Sequence, residues 1–149
     1  MWIANFSLDE VKNGNHIIPN NDAILIQICD PKTNFPISPY ENSFVKVFKF
    51  SFLDTNFSVE PRAINDYQAE KIAEALNFAK KNNLNIIVHC HAGISRSGAI
   101  VEVGTLIGFE ILKNHKQPRI PNTLVFNKVC LALNIKKSWG RCNINFIYK

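Results

Sequence analysis

HCHAGISRSG, residues 89–98, joins an apolar run to a segment with the pattern of a helix. The apolar run at 86–88 predicts a strand, and a helix is predicted from Ser97 to about residue 112. A strand, a tight loop and a helix start can together turn several backbone N–H groups toward one anion. Cys90 and Arg96 stand in this loop, so the segment is a candidate for binding and attacking a phosphoryl group.

The two reactive side chains of the loop have complementary chemistry. Cys90 is the predicted nucleophile, because a helix N-terminus and a nearby cation favour the thiolate that attacks phosphorus. Arg96 has a planar guanidinium that can grip two oxygens of the transferring group, which a lysine could not do. Gly93 supplies backbone freedom where the loop bends. A small core residue is the plain alternative for Cys90, and the loop around it argues against that alternative.

The loop resembles the signature of the cysteine-dependent protein tyrosine phosphatases, and it is most similar to the form in the small dual-specificity group. Weaker similarity extends over residues 23–130, at 23–26 (AILI), 50–54 (FSFLD) and 121–122 (PN). The resemblance implies a metal-independent enzyme that needs no cofactor and passes through a phosphocysteine intermediate. It also implies that Ser97 donates a hydrogen bond to the Cys90 sulfur, and that His89 supports the loop from behind.

Phosphate is expected to bind to backbone N–H groups of the loop. The residues expected to supply them are His91, Ala92, Gly93, Ile94, Ser95 and Arg96. The pair His89 and His91 raises the alternative of a metal site beside Cys90. Side chains alternate along an extended segment, so His89 and His91 lie on one side and Cys90 on the other. The sequence also has no second pair of ligand residues at metal-binding spacing, so no metal is expected.

A phosphatase of this kind needs a general acid for the departing oxygen and then a base for water. Asp54 is the predicted acid, because the resembled family places its acid in this region, after the corresponding strand. Leu53 stands where many small relatives have a second acid. An ordinary turn or cap is the alternative for Asp54. The rival acid is Asp66, which sits at the first turn of the helix predicted at 65–81, where a carboxylate merely complements the helix dipole.

Three further residues each allow two interpretations. Asn122, after Pro121, resembles the Pro-Asn that opens a late helix near the site in the dual-specificity group, and a plain helix cap explains it as well. Arg119 is either a second basic contact for substrate or a solvated loop residue. Cys29 ends a predicted buried strand, either as a core residue or as the partner of Cys90 in a redox disulfide.

The order of elements predicts an α/β fold. Strands are predicted at 2–4, 23–29, 44–52 and 84–89. A short helix is predicted to begin at the Ser-x-x-Glu pattern of residues 7–10. Longer helices are predicted at 65–81, from 97 to about 112 and from 122 to about 134. Alternating strands and helices favour a mainly parallel sheet of four to five strands with helices on both faces. The site is expected at the carboxyl ends of the central strands.

Length and composition are typical of one globular domain over residues 1–149, in which about 135–149 form a C-terminal extension without a firm pattern. No apolar run is long enough for a membrane span and no secretion signal is evident, so a cytoplasmic location is expected, where the four cysteines need not pair. The net charge of +5 suits an anionic substrate, but the basic residues are dispersed. Neither nucleic acid nor a membrane is expected as a partner, and the oligomeric state is left open.

The sequence therefore predicts a phosphatase that hydrolyses phosphotyrosine, and also phosphoserine or phosphothreonine, in a phosphorylated protein substrate. Related enzymes act on RNA 5′-phosphates or phosphoinositides, and the latter often have a lysine inside the loop, which this loop lacks. The non-enzyme alternative is a module that binds phosphate groups without turnover. The presence of Cys90, Arg96 and a candidate acid argues against it. Sulfurtransferase and arsenate-type loops also use the Cys-x5-Arg spacing. The low-molecular-weight phosphatases have that loop near the N-terminus, whereas here its cysteine is residue 90.

Overall fold

A parallel sheet forms the centre of the computed structural model, which describes residues 1–115 and 117–136. The strands are β1 Trp2–Ser7, β2 Ala23–Cys29, β3 Lys46–Ser51, β4 Asn85–Cys90 and β5 Glu110–Ile111. The helices are α1 Leu8–Lys12, α2 Asp66–Lys81, α3 Arg96–Leu106 and α4 Thr123–Ala132, and a 3-10 turn covers Glu41–Ser43. The strand order is β3-β2-β4-β1-β5, with parallel pairing throughout. The predicted α/β fold with a mainly parallel sheet of four to five strands is confirmed.

The sheet separates two apolar cores. The larger core lies between one face of the strands and α2, α3 and α4, with Ile72 of α2 and Ile100 of α3 fully buried in it. The smaller core lies on the other face and contains Val11 of α1 together with Phe44 and Leu25. Every residue of β2 is buried, because this strand lies inside the sheet and is covered on both faces. Helices therefore cover both faces of the sheet, as predicted.

Side-chain caps fix where the main helices begin. Ser7 and Glu10 form the predicted capping box at α1, and Asn65 and Gln68 form a second one at α2. The Asn122 side chain accepts a hydrogen bond from the backbone N–H of Val125 and so caps α4. These caps place the helix starts within one residue of their predicted positions.

The helix that follows the loop is shorter than predicted. It ends at Leu106 rather than near residue 112, because Gly108 adopts a φ of +109°, a conformation that interrupts a helix. The backbone N–H of Phe109 returns to the Gly104 carbonyl, and the chain then pairs with β1 as the short strand β5. The prediction of helix for residues 107–112 is therefore wrong. An apolar segment of this length does not by itself distinguish a last helical turn from an edge strand.

The predicted C-terminal extension lies mostly outside the described residues. Only Ile135 and Lys136 of the segment 135–149 are described, and the backbone N–H of Ile135 bonds to the Cys130 carbonyl at the end of α4. The assignment of residues 1–149 to one domain stays a prediction. Among the described residues, every helix is too short or too polar to cross a membrane.

Residues 91–95, the β4–α3 loop, press closely on the junction between β1 and α1. Gly93 has a φ of +74°, and a Cβ atom added there would lie 2.5 Å from the Phe6 carbonyl carbon and 2.5 Å from the Ser7 nitrogen. The backbone N–H of Leu8 also donates to the His91 carbonyl at 3.1 Å. Backbone therefore packs on backbone at this point, and a side chain at residue 93 has no space.

We expect Gly93→Ala to lower the free energy of unfolding by about 2–4 kcal/mol, since it combines an unfavourable φ with a collision against fixed backbone. Gly14→Ala is the matched control, because Gly14 has the same φ of +74° but would meet side-chain atoms of Tyr40 and Pro39 at 3.1 and 3.2 Å. The control is expected to cost about 1–2 kcal/mol. Urea denaturation measures both variants, and equal losses would contradict this account of Gly93.

Candidate active site

A pocket of about 410 Å³ opens beside Cys90 at the carboxyl ends of the central strands. This edge is where parallel α/β sheets bind ligands. The residues that line this pocket, the Cys90 pocket, are Asp30, Leu53, Asp54, Thr55, Glu60, Cys90, His91, Ala92, Ser95 and Arg96. The predicted nucleophile, the predicted acid, the predicted phosphate clamp and part of the β4–α3 loop thus come together around one cavity.

Cys90 lies at the bottom of this pocket. It is the last residue of β4 and only 2% of its surface is exposed. Its Sγ lies 3.2 Å from the Oγ of Ser97, which is fully buried in the first turn of α3. A hydroxyl at this distance can donate a hydrogen bond to a sulfur anion. The two side chains thus lie within hydrogen-bond distance, and the donor role of Ser97 stays a prediction.

The carbonyl groups of the β4–α3 loop are all bonded to the surrounding scaffold. Their partners are Leu8 N for His91, Gln117 Nε2 for Ala92, Asn5 Nδ2 and Gln117 Nε2 for Gly93, Ile120 N for Ile94 and Asn122 N for Ser95. The shortest of these bonds joins Asn5 Nδ2 to the Gly93 carbonyl at 2.7 Å, in a buried position. When the carbonyls of a tight loop bond outward, its N–H groups point toward the inside of the loop. This arrangement favours an anion-binding nest.

Arg96 is held from behind by the scaffold. It is 3% exposed, and its Nη1 donates to the Asp30 carboxylate at 2.7 Å and to the Phe52 carbonyl at 2.7 Å. The Nε of Arg96 is buried and has no hydrogen-bond partner among the described residues. A buried guanidinium donor without an acceptor is costly, and an oxygen of a bound anion would satisfy it.

Asp54 lies on the opposite wall of the pocket. Its Oδ1 accepts hydrogen bonds from the Ser95 hydroxyl at 2.9 Å and from the Asn122 amide at 2.8 Å. The same amide donates to the Thr55 carbonyl at 3.0 Å, so α4 fixes the segment that carries Asp54. Asn122 therefore caps its helix and orients the predicted acid at the same time, which joins the two interpretations left open by the sequence.

Asp66, the rival acid, lies outside the Cys90 pocket. Its side chain is 87% exposed and pairs with the Lys128 ammonium at 2.6 Å. The hydrogen bond and the charge of Lys128 lower the pKa of the Asp66 carboxyl below its usual value. A surface carboxylate held ionised by a lysine has the character of a helix-terminus residue rather than a proton donor.

The two histidines that flank Cys90 lie in different environments. His89 is fully buried, and burial lowers its pKa to about 4, so the ring is neutral at physiological pH. Its Nδ1 lies 3.4 Å from the Cys90 carbonyl, which can only accept, so Nδ1 is the protonated nitrogen of that contact. His91 is exposed at the pocket rim. Within the described residues, no group of three or more His, Cys, Asp or Glu side chains could hold a metal ion.

Arg119 has a structural partner, and Cys29 is part of the buried sheet. The Nε of Arg119 donates to the Glu102 carboxylate at 2.8 Å, and Arg119 is not among the residues that line the Cys90 pocket. Burial raises the pKa of the Cys29 thiol to about 11. Side chains alternate along a strand, so Cys29 lies on the sheet face of Leu25, opposite to the face on which Cys90 packs. This geometry favours a core role for Cys29 over a disulfide with Cys90.

Three residues that bond to the β4–α3 loop or to Arg96 were missed in the sequence. Asn5 and Gln117 bond to the loop carbonyls, and Asp30 bonds to Arg96. Asn5 interrupts the apolar strand β1, and a buried polar residue in such a run is a signal of a specific partner. Asp30 directly follows β2, and polar residues at the carboxyl ends of parallel strands are typical of binding sites. Gln117 lies in a polar loop and carries no such signal.

Comparisons with known proteins agree with this geometry. None of the curated proteins matches the sequence. Among solved structures, the fold is similar to that of human DUSP28, a dual-specificity phosphatase, with a TM-score of 0.52 and 12% sequence identity over 93% of this chain and 83% of that chain. Residues 58–128, which include Cys90 and Arg96, match the model of the protein-tyrosine phosphatase family. The segment that contains Cys90 and Arg96 is therefore similar to the protein-tyrosine phosphatase family, and the fold is like that of a dual-specificity phosphatase.

Proposed function

We propose that the chain hydrolyses phosphotyrosine, and also phosphoserine and phosphothreonine, in proteins through a phosphocysteine intermediate. The single observation that carries this proposal is the buried Nε of Arg96, which lacks an acceptor and belongs to the same pocket as the Cys90 sulfur. A phosphate monoester supplies the missing acceptor and presents phosphorus to the sulfur. The match of residues 58–128 to the protein-tyrosine phosphatase family supports the reaction class.

Binding of the phosphoryl group uses the loop and the guanidinium together. The N–H groups of residues 91–96 would donate hydrogen bonds to the oxygens of the phosphoryl group. The guanidinium of Arg96 would bind two of these oxygens. Asp30 and the Phe52 carbonyl hold Nη1 in place, so little conformational freedom is lost when the substrate binds. Preorganised donors of this kind stabilise the charge that spreads over the transferring group.

The first chemical step transfers the phosphoryl group to sulfur. The Cys90 thiolate forms a bond to phosphorus while the bond from phosphorus to the leaving oxygen breaks. Asp54 gives its proton to that oxygen, which leaves as the hydroxyl of tyrosine, serine or threonine. Asn122 and Ser95, which both bond to Asp54, act as positioning residues for this transfer.

The second step releases inorganic phosphate. The Asp54 carboxylate takes a proton from water, the water oxygen bonds to phosphorus, and the bond from phosphorus to sulfur breaks. The Ser97 hydroxyl, 3.2 Å from Sγ, donates a hydrogen bond to the sulfur as negative charge returns to it. Neither of these two steps uses a metal ion or an external cofactor, and the second step returns Cys90 to the thiolate and Asp54 to the protonated acid.

Cys90→Ser is expected to lower kcat toward a phosphotyrosine peptide by at least about 10⁴-fold, because serine is a far poorer nucleophile in this site. The variant should still bind inorganic phosphate, since the loop and Arg96 are intact. Release of phosphate and isothermal titration measure the two properties. Cys130→Ser is the matched control, because Cys130 is equally buried but lies in α4, away from the pocket. Equal losses in both variants would contradict the nucleophile assignment.

Asp54→Asn is expected to lower kcat toward phosphotyrosine by about 10²–10⁴-fold, because the leaving oxygen loses its proton donor. The bonds from Ser95 and Asn122 can persist to the amide oxygen, so the loss reports on the proton rather than on position. Asp66→Asn serves as the control and should leave kcat within about twofold, since Asp66 lies on the surface. Loss of activity in Asp66→Asn with normal turnover in Asp54→Asn would reverse the assignment.

A further inference from the structure

The Cys90 pocket has an unusual balance of charge for an anion-binding site. Three of its lining residues, Asp30, Asp54 and Glu60, carry carboxylates, whereas Arg96 supplies a single guanidinium. An ionised Cys90 adds a further negative charge during the reaction. Asp30 is paired with Arg96, and Asp54 carries a proton when it acts as the acid, so Glu60 is the pocket carboxylate whose negative charge the reaction does not use.

Two of the three carboxylates have tasks inside the site. Asp30 holds the guanidinium of Arg96 at 2.7 Å, and Asp54 accepts hydrogen bonds from Ser95 and Asn122 in the position of the acid. Glu60 has no such task among the described contacts. It lines the pocket, and its side-chain hydrogen bonds join it to Arg62, two positions along the chain.

The contacts of Glu60 leave its charge available to a ligand. Its Oε1 accepts from the backbone N–H of Arg62 at 3.2 Å and from the Arg62 Nε at 3.3 Å. The Arg62 side chain is 62% exposed and does not line the pocket. An exposed pair of this kind contributes little stability and is screened by salt, so another cation can replace Arg62 at low cost.

We propose that Glu60 is a specificity-determining residue that favours phosphotyrosine peptides with a lysine or arginine next to the phosphotyrosine. This inference rests on the proposed function. A basic neighbour pairs with Glu60 at the pocket wall while the phosphate binds below it. An acidic neighbour meets the negative charge of Glu60 and is repelled.

The same field acts against substrates with several phosphates. An RNA 5′-triphosphate or an inositol polyphosphate brings extra negative charge next to the group that is cleaved. In the Cys90 pocket that extra charge would face carboxylates, and the loop between Cys90 and Arg96 contains no lysine to offset them. A singly phosphorylated peptide with a cationic flank fits the charge of the pocket better.

The experiment compares two phosphotyrosine peptides that differ only at the residues on either side of the phosphotyrosine, lysine in one and glutamate in the other. The readout is the ratio of their kcat/KM values, so a general loss of activity in any variant cancels. We expect the wild-type chain to prefer the lysine peptide by about 3–10-fold at low ionic strength and less at about 1 M salt. Glu60→Gln should reduce that ratio by about 2–5-fold.

Glu74→Gln is the control, because Glu74 also forms an exposed pair with a basic neighbour, Lys71, but lies on α2 outside the pocket. Its peptide ratio should equal that of the wild type. A wild-type ratio near one, an unchanged ratio in Glu60→Gln, or faster cleavage of an RNA 5′-triphosphate or inositol polyphosphate would overturn the proposal for Glu60. Turnover of an aryl phosphate without peptide discrimination overturns this proposal alone, and absence of all turnover overturns the proposed function with it.

Discussion

The outward hydrogen bonding of the β4–α3 loop carbonyls is the constraint on which the site depends. A carbonyl that pointed into the pocket would repel a phosphate oxygen and would remove an N–H group from it. The partners that prevent this come from the β1–α1 junction and from the segment before α4, which are distant in sequence. The outward orientation of these carbonyls therefore requires distant parts of the fold, and the close packing at Gly93 is part of the same requirement.

The buried guanidinium of Arg96 is the second element of this preorganisation. Burial of a charge is favourable only when ions and hydrogen bonds compensate it, and Asp30 and the Phe52 carbonyl provide that compensation on the Nη1 side. The Nε side stays without a partner among the described residues. The protein thus satisfies one side of the group with its own atoms and leaves the other for a ligand, and the cost of orienting the arginine is met during folding.

Local signals in the sequence predict most of the fold and the centre of the site. The bounds of β2, the capped start of α2 and the loop around Cys90 follow from composition and spacing within short segments. The contacts of Asn5 with Gly93 and of Asp30 with Arg96 span 88 and 66 residues, so no local pattern contains them. The end of α3 and the strand β5 depend on one backbone conformation and on the vacant edge of β1, which are also tertiary features.

Net charge and local charge point in opposite directions in this chain. A net charge of +5 favours association with polyanions in general. Fields from dispersed surface lysines fall off within a Debye length, whereas Glu60 lines the same cavity as Cys90 and Arg96. Energies of charge pairs decrease with distance, so the near groups dominate at the moment of reaction. If Glu60 acts as proposed, the charge next to the phosphate selects the substrate, and the excess of basic residues acts mainly on the approach to the protein.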